Sequence, residues 1–497
     1  MSLMGIDIGS SSVKVAAYRE DGGLIGVARG EATPRHPEPG WWEQDAQELW
    51  VKTSELVQAV ATQEPLRHDP PKAIAISASA RENFPADAEG NPLGPCIMAG
   101  DLRGAEFEVL PAGAPDVEPW MLSCGHKRER MDPVNRLLFW RKYYPDTMAK
   151  ARWFLGWHEF LSLRLCGRAA LDRSIAGRWL VYDIARSGWS PERLGKFGIE
   201  TDLLPELLPW GSIIGEIREK PAIAWGLPAG VKLAVGTSDL NGAALGTGVS
   251  EEGTSCLASG SFENQLIPAS RLLTGGMLLR GFTMTPHPGK SGLSFWAICP
   301  TGTMVLNWAR NLLRVSIEDL DQELQKASPG PSPVVAVPYL SGALLHWPDG
   351  RRLRGGLLGL TLATSPIDIV KALMESIAYD HVATIRGLRE EGVDVDRIRA
   401  TGGGSRSTWW TQLKADLMGI PIEVASEPEP ATLGAALLAG LALGVYRDIE
   451  QAGDAVQRTS RVHDPNPERL RLHEDRINAL HGVVPALMES LYRGDGS

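Results

Sequence analysis

The run Leu233-Ala234-Val235 breaks into Gly236-Thr237-Ser238-Asp239 and then into the small-residue segment Gly242-Ala243-Ala244-Leu245-Gly246. This pattern reads as a buried strand with one carboxylate at its tip and neighbours small enough for a ligand to approach. A second such tip, Ile6-Asp7-Ile8-Gly9-Ser10-Ser11-Ser12, opens the chain. Two strand-end aspartates in one chain point to an architecture of strands with open tips, and they suit a magnesium-dependent phosphoryl-transfer site.

The rest of the chain follows a strand-then-helix grammar. Met4 to Tyr18 reads as two strands around the Gly9–Ser12 turn, and Leu24 to Arg29 as a third. Asp45-Ala46-Gln47-Glu48 has capping-box spacing ahead of a periodic run to about Ala61. Lys72 to Ser77 is a continuous apolar strand of the kind found inside a covered sheet. A stretch from about 130 to 230 is richer in helix and tryptophan. The grammar restarts at Thr254–Ala258, with a turn at Ser259-Gly260-Ser261 and helix from about Gly302. A long amphipathic helix spans Pro366 to Glu390. A strand at Arg397–Thr401, a triple-glycine turn, a helix at Ser407–Met418 and a strand at Pro421–Val424 follow it. With 497 residues, two domains are expected, residues 1–246 and 247–497, both α/β and facing a cleft.

Composition excludes several classes. A net charge of −10 argues against a nucleic-acid binder, which needs a basic face. Cys96, Cys124, Cys166, Cys256 and Cys299 are scattered without metal-ligand spacing and read as buried thiols of a reducing compartment. Nothing at the N-terminus resembles a signal peptide, and the longest apolar stretch, Ala431 to Val445, is shorter than a membrane span and reads as a buried helix. A soluble, cytoplasmic protein is expected, with no membrane or nucleic-acid partner. A homodimer is compatible with the sequence.

Three glycine turns carry the chemistry. At Asp7–Lys14, Gly9 is free to take a turn conformation closed to other residues, and the amides and hydroxyls of Ser10, Ser11 and Ser12, with Lys14, can meet phosphate oxygens. Asp7 suits magnesium or its waters; an ordinary hairpin turn remains the plainer reading. The Ser259-Gly260-Ser261 turn repeats the composition. At Thr401-Gly402-Gly403-Gly404-Ser405 the glycines permit close approach to a flat ligand, or form a flexible loop; the pattern is neither a Walker loop nor a dinucleotide fingerprint. Asp239 is the candidate base for proton transfer from an alcohol. It equally suits the cap of a helix beginning near Leu240, and both roles are compatible.

Taken in order, these motifs resemble the FGGY family of carbohydrate kinases, in the actin-like superfamily with two RNase H-like domains. Further anchors are Pro39-Gly40-Trp41 with Glu43-Gln44-Asp45, Asp101 with Arg103, Asp172 with Ser174, Pro338–Gly342, Glu375 and Ala431–Gly440, so the resemblance runs from Met4 to about Val445. It implies two actin-like ATPase domains around an interdomain cleft, with ATP and Mg2+ as cofactors. Asp7 would help hold magnesium and Asp239 would act as base. Gly260, Ser261, Asn307, Gly403, Gly404 and Ser407 would line the nucleotide site, with Gly402 beside them.

The substrate is less legible. Where xylulokinase-like members carry Gln-Met-His after the strand ending at Ser77, this chain has Ser79-Ala80-Arg81-Glu82. Ala99-Gly100-Asp101 stands for a Trp-Asn-Asp run, and Ala343-Leu344 for Glu-Arg. Arg81 and Glu82 either contact sugar hydroxyls or pair with each other on a loop. A free arginine would suit a sugar acid, whereas a neighbouring glutamate neutralises it. Asp101 is a further substrate candidate. The expectation is phosphorylation of a ketopentose such as D-xylulose, with gluconate or another sugar acid and small polyols of the autoinducer type as alternatives. An actin-like switch ATPase and a non-catalytic sugar sensor are the rivals from other classes. The tail, with Leu470, Leu480, Val484 and Leu487 on a helical pattern, would cap the second domain or meet a partner.

Overall fold

The computed structural model describes residues 1–107, 117–127, 129, 131–314, 317–340, 342, 354–456 and 459–482. The first sheet is built from β1 (Ser2–Ile8), β2 (Ser12–Arg19), β3 (Leu24–Glu31), β4 (Pro71–Ala78), β5 (Ile213–Glu216) and β6 (Lys232–Ala234), in the order β5-β6-β4-β1-β2-β3. β1 runs parallel to β4, and β4 parallel to β6, while β2 and β3 return antiparallel. Every residue of β1 is buried, which is why Ser2-Leu3-Met4-Gly5-Ile6 reads as one apolar run.

The second sheet repeats that plan. Its strands are β7 (Gly253–Ser259), β8 (Glu263–Ala269), β9 (Thr283–Pro286), β10 (Leu293–Cys299), β11 (Val395–Thr401), β12 (Ile422–Ala425) and β13 (Thr459–His463), ordered β9-β10-β8-β7-β11-β12-β13. Here β7, β11 and β12 are parallel and β8 and β10 antiparallel. Removing the edge strands β5, β9 and β13 leaves the same order in both sheets. The chain therefore consists of two equivalent α/β units, as the repeated grammar implied.

Helices cover the sheets. On the first unit lie α1 (Ala46–Ala61), α2 (Trp157–Cys166) and α3 (Asp239–Gly246); on the second lie α4 (Thr303–Leu313), α5 (Pro366–Glu390) and α6 (Thr408–Met418). Asp45 caps α1 by accepting from the Gln47 and Glu48 amides at 2.7 and 3.1 Å. The expected capping box is not closed, because the Glu48 carboxylate pairs with Arg35. A complete box stands instead at α5, between Ser365 and Asp368. The tail helix Pro467–Gly482 packs on α5 and α6, burying Leu480 and joining Tyr379 Oη to His473 Nδ1 at 2.7 Å, so its described part caps the second unit. Val484 and Leu487, like Ser341, Ala343 and Leu344, lie outside the described residues.

One helix departs from its unit. α7 (Pro430–Ala442) belongs to the second half of the sequence, yet packs on β1 and β4 of the first sheet and crosses α3. Its residues explain the placement. Leu433, Leu437 and Leu438 are buried and each contributes about 2 kcal/mol of burial. Gly434 leaves room for the backbone of α3: a Cβ there would stand 2.0 Å from the Gly242 carbonyl oxygen. A Cβ on Gly246 would meet the Pro430 carbonyl oxygen at 1.8 Å, and one on Gly5 that of Thr432 at 1.8 Å. The small residues at 242–246 thus serve a helix crossing rather than ligand approach, which corrects the expectation drawn from sequence.

Candidate functional site

The candidate side chains Asp7 and Asp239 sit at the carboxyl ends of parallel strands, where open α/β sheets place ligands. At the end of β1, Asp7 accepts from Ser77 Oγ of β4 at 3.1 Å and faces Lys14 Nζ at 3.4 Å. Lys14 also reaches Glu429 at 3.3 Å, and Arg29 holds the same glutamate at 2.5 Å. Burial pushes the Asp7 carboxyl up against the opposing pull of Lys14 and Ser77.

Asp239 follows the short strand Thr237–Ser238, which pairs parallel with the end of β4. Ser238 occupies the cap position of α3 and its side chain makes no cap bond; Asp239 is the first helical residue and accepts its neighbour Leu240's amide at 2.7 Å. Asp239 is therefore not the cap itself. Burial, with the charges of Asp7 and Glu82 added to it, pushes its carboxyl up to about 7. Asp7, Glu82 and Asp239 thus share one electrostatic site, drawn from residues spread over most of the first half.

The tip that carries Asp239 is held from below. Asp172 accepts from the Ser174 amide at 2.7 Å and from its hydroxyl. The Ser174 hydroxyl meets Thr237 Oγ1 at 3.1 Å and accepts the Ser238 amide at 3.0 Å. On the other side the Gly236 amide donates to His158 Nε2 at 3.2 Å, while His158 Nδ1 meets the Ala170 carbonyl at 3.0 Å. Burial drives His158 down to about 4, so the ring is neutral and its Nε2 free to accept. His158 carried no sequence signal, because an isolated histidine in an apolar helix usually marks packing.

Arg81 and Glu82 are both buried and do not pair through their side chains. Glu82 Oε2 accepts the Arg81 amide at 3.0 Å, and Arg81 Nη2 donates to Glu129 at 2.6 Å. Glu129, 48 residues away, has no signal in the sequence that ties it to Arg81. Left buried without a protein partner among the described residues are Arg81 Nη1, Glu82 Oε1, Asn83 Oδ1, Asn135 Oδ1 and Arg136 Nε. Such atoms cost free energy unless something bonds them. A set of donors and acceptors, with Glu82 close enough to Asp239 to act on its charge, suits a polyhydroxylated ligand. Asp101 borders this set, its amide donating to the same Met98 carbonyl that Arg136 bonds, but its carboxylate is engaged elsewhere. It is wholly buried, with Arg103 Nε at 3.0 Å from each oxygen, Arg103 Nη2 at 2.6 Å, and the Trp42 amide at 2.5 Å. Arg103 lies 4.1 Å from the Trp41 ring centroid and bonds Glu43 at 2.9 Å. These residues together close the Trp41–Trp42 loop onto the body, and both Asp101 oxygens are taken.

In the second unit the turns fall at the ends of β7 and β11. The Gly260 amide donates to the Phe262 carbonyl at 2.9 Å, as the Gly9 amide does to Ser12 at 3.0 Å. Neither glycine takes a left-handed φ, contrary to the expectation for Gly9. A side chain at either would meet only one carbonyl oxygen, at 3.6 Å for Gly9 and 3.7 Å for Gly260, so both turns leave open space for a ligand. Ser10, Ser11 and Ser261 stand at least partly open to solvent, as does Ser12. Gly402 has φ +89° and packs on the Ser259 backbone, Gly404 packs on the Ser259 side chain, and a Cβ on Gly403 would meet nothing within 4 Å. Ser407 caps α6 through the Trp410 amide at 3.1 Å and donates to Asp321. Asn307 is exposed on α4 and accepts from Arg310 at 3.2 Å. Beneath the turns a buried cluster ties them together: Glu263 meets Lys414 Nζ at 2.7 Å, His381 Nε2 at 3.1 Å and the Ser259 hydroxyl.

Residues 2–246 match the N-terminal domain of the FGGY family of carbohydrate kinases, and residues 253–443 match its C-terminal domain. The chain belongs to the FGGY family of carbohydrate kinases. These kinases are sugar phosphotransferases that use ATP as phosphoryl donor, usually with Mg2+. The chain is 27% identical to the xylulose kinase of Escherichia coli (strain K12), over 98% of this chain and 99% of that one. It is 24% identical to the L-xylulose/3-keto-L-gulonate kinase of the same organism, over 97% of both. The crystal structure of a xyloylose kinase from Brucella ovis matches with a TM-score of 0.88 and 25% identity, over 98% of this chain and 99% of that one. Among the described residues, no helix is long and apolar enough to cross a membrane.

The residues present fit the magnesium nucleotide of the family. Asp7, Asp239 and Glu82 form an excess of negative charge that Lys14, shared with Glu429, balances only in part. A magnesium ion is commonly held by one or two carboxylates together with phosphates and waters. Among the described residues no group of three or more His, Cys, Asp or Glu forms a protein-only metal cage, and this arrangement needs none.

Proposed function

We propose that this FGGY kinase phosphorylates a primary hydroxyl of an uncharged sugar, with a ketopentose such as D-xylulose as the substrate that fits best. The observation that carries this reading is that Ser77 at the end of β4 bonds Asp7 while the short strand leading into Asp239 pairs with Ser77 and Ala78, which brings both carboxylates to one strand edge. Asp239, held at a strand tip by Ser174 and His158, accepts the hydroxyl proton. Glu82 Oε1, Asn83 Oδ1 and Asn135 Oδ1 offer acceptors to sugar hydroxyls, and Arg81 Nη1 and Arg136 Nε offer donors. Asp101, with Arg103, supports the pocket through the Trp41–Trp42 loop instead of meeting the sugar.

In this reading residues 1–246 supply the sugar and magnesium side and residues 247–497 the nucleotide side, with α7 crossing between them. Asp7 would hold the magnesium ion, and the Gly9–Ser12 turn with Lys14 would face the phosphates. Gly260, Ser261, Asn307, Gly402, Gly403, Gly404 and Ser407 would surround the nucleotide; the open faces of Gly260 and Gly403 support this, whereas Ser407 would act as the helix cap that fixes the loop. Bound magnesium supplies charge neutralisation as the phosphoryl group transfers. The five free cysteines suit a reducing, cytoplasmic setting.

Sugar acids are the second reading, favoured by the guanidinium of Arg81. Coupled ATP turnover over a panel of ketoses, aldoses, polyols and sugar acids tests both. Saturable turnover with a neutral ketose supports the proposal; turnover confined to acids overturns it. ATP hydrolysis without sugar product, or none with any sugar, would favour a switch ATPase or a sensor.

A further inference from the structure

Arg81 and Arg178 share one carboxylate. Glu129 Oε2 accepts from Arg81 Nη2 at 2.6 Å, and Glu129 Oε1 stands 3.7 Å from Arg178 Nη2. Arg178 is 2% exposed and anchored in the second unit: it donates to Thr283 Oγ1 of β9 at 3.1 Å, and its guanidinium lies 5.0 Å from the Trp296 ring of β10. The segment before Glu129 is pinned to the same edge by Met284, whose amide donates to the Gly125 carbonyl at 2.6 Å, and by Lys127, which donates to the Leu279 carbonyl at 3.1 Å.

The consequence is a charge balance beside the sugar pocket. Both guanidiniums, Arg81 and Arg178, face the Glu129 carboxylate, while Glu82 Oε2 accepts the Arg81 backbone amide. Of the other charged groups described close by, Arg136 donates to the Met98 and Met131 carbonyls and Asp132 accepts from the Val134 and Leu180 amides. A carboxylate on the substrate would have to compete with Glu129 for the Arg81 and Arg178 guanidiniums, and desolvating it there is costly. A pair of hydroxyls, by contrast, suits one open donor, Arg81 Nη1, and one open acceptor, Glu82 Oε1.

We propose that Glu129 is a specificity-determining positioning residue, which by neutralising Arg81 and Arg178 makes the pocket select uncharged sugars over sugar acids. The proposal rests on the kinase reading above. It is tested by comparing the parent with Glu129→Gln, Glu129→Asp and Arg81→Met, using D-xylulose and D-gluconate. Both turnover and binding, followed by tryptophan fluorescence, are measured.

Glu129→Gln is expected to lower the xylulose-to-gluconate ratio of kcat/KM by about tenfold or more, chiefly through KM, the scale of one charge-assisted hydrogen bond. The KM for ATP should stay within about twofold, and Glu129→Asp should restore the ratio. Arg81→Met, which removes the cation that Glu129 neutralises, should raise that ratio, an opposite sign that a merely structural role would not produce. Parallel loss of both sugars in Glu129→Gln, or the same sign in both variants, overturns the proposal. If Glu129→Gln does not fold, the sign for Arg81→Met decides alone. Failure of the parent to bind or turn over either compound overturns the kinase reading first, and is distinguished by that control.

Discussion

Gly242 of α3 and Gly434 of α7 face each other so closely that a Cβ on Gly434 would stand 2.0 Å from the Gly242 carbonyl oxygen. The crossing joins the first unit's last helix to a helix from the second half, and Asp239 is the first residue of α3. Gly434→Ala should therefore separate the two helices, at a cost of about 1–3 kcal/mol in overpacking. Denaturant unfolding is expected to show this loss. kcat should fall by more than the ATP affinity does, because Asp239, the proposed base, moves with its helix. Wild-type stability in that variant would refute the contact.

Removing the proposed base isolates the chemistry. Asp239→Ala should reduce kcat by about 10²–10⁴-fold, the usual scale of a positioned general base. ATP affinity, measured by calorimetry, should remain within a few-fold, since the proposed role of Asp239 is toward the sugar hydroxyl and not the nucleotide. Sugar turnover near the parent rate would sink the assignment.

The same carboxylate sets a pH dependence. Its value near 7 arises from burial and from the charges of Asp7 and Glu82, and proton acceptance requires the ionised form. kcat/KM should thus rise with pH through about 7. Glu82→Gln removes one of the repelling charges and should move that limb to lower pH, whatever it does to sugar affinity. For stability the sign is the reverse. A carboxyl raised in the folded state favours folding fully below its unfolded value and loses that contribution as pH rises through about 7. Asp239→Asn should therefore raise the melting temperature more at pH 8 than at pH 5.

What the sequence made legible was periodic or local. The two sheets announced themselves through apolar runs ending in glycine and hydroxyls, and Asp7 and Asp239 stood out as charges at the ends of such runs. Contacts between distant segments were silent. Nothing near residue 81 names Glu129 as its partner, so Arg81 and Glu82 were open to being read as a pair. Ala431–Gly440 reads as a buried helix, but not as one that crosses to the other sheet. For the same reason Gly242 and Gly246 looked like space for a ligand when they are space for a backbone. Asp101 next to Arg103 gave no sign that the arginine would take both its oxygens.

The triple glycine separates fold from function at adjacent positions. Gly402 needs its φ of +89°, and a Cβ there would lie 2.5 Å from the Ser259 carbonyl oxygen. Gly402→Ala should destabilise the second unit by about 1–3 kcal/mol through strain. Gly403 has neither constraint, with nothing within 4 Å of an added Cβ. Gly403→Ala should leave the melting temperature within about 1 °C, given that an unhindered surface change costs little. Its effect is expected on the nucleotide alone: a raised KM for ATP with an unchanged KM for the sugar. Steady-state kinetics with each substrate varied in turn, read beside thermal unfolding, check both halves. An unchanged KM for ATP in Gly403→Ala would remove this loop from the nucleotide site and leave the Gly260 turn to carry that role.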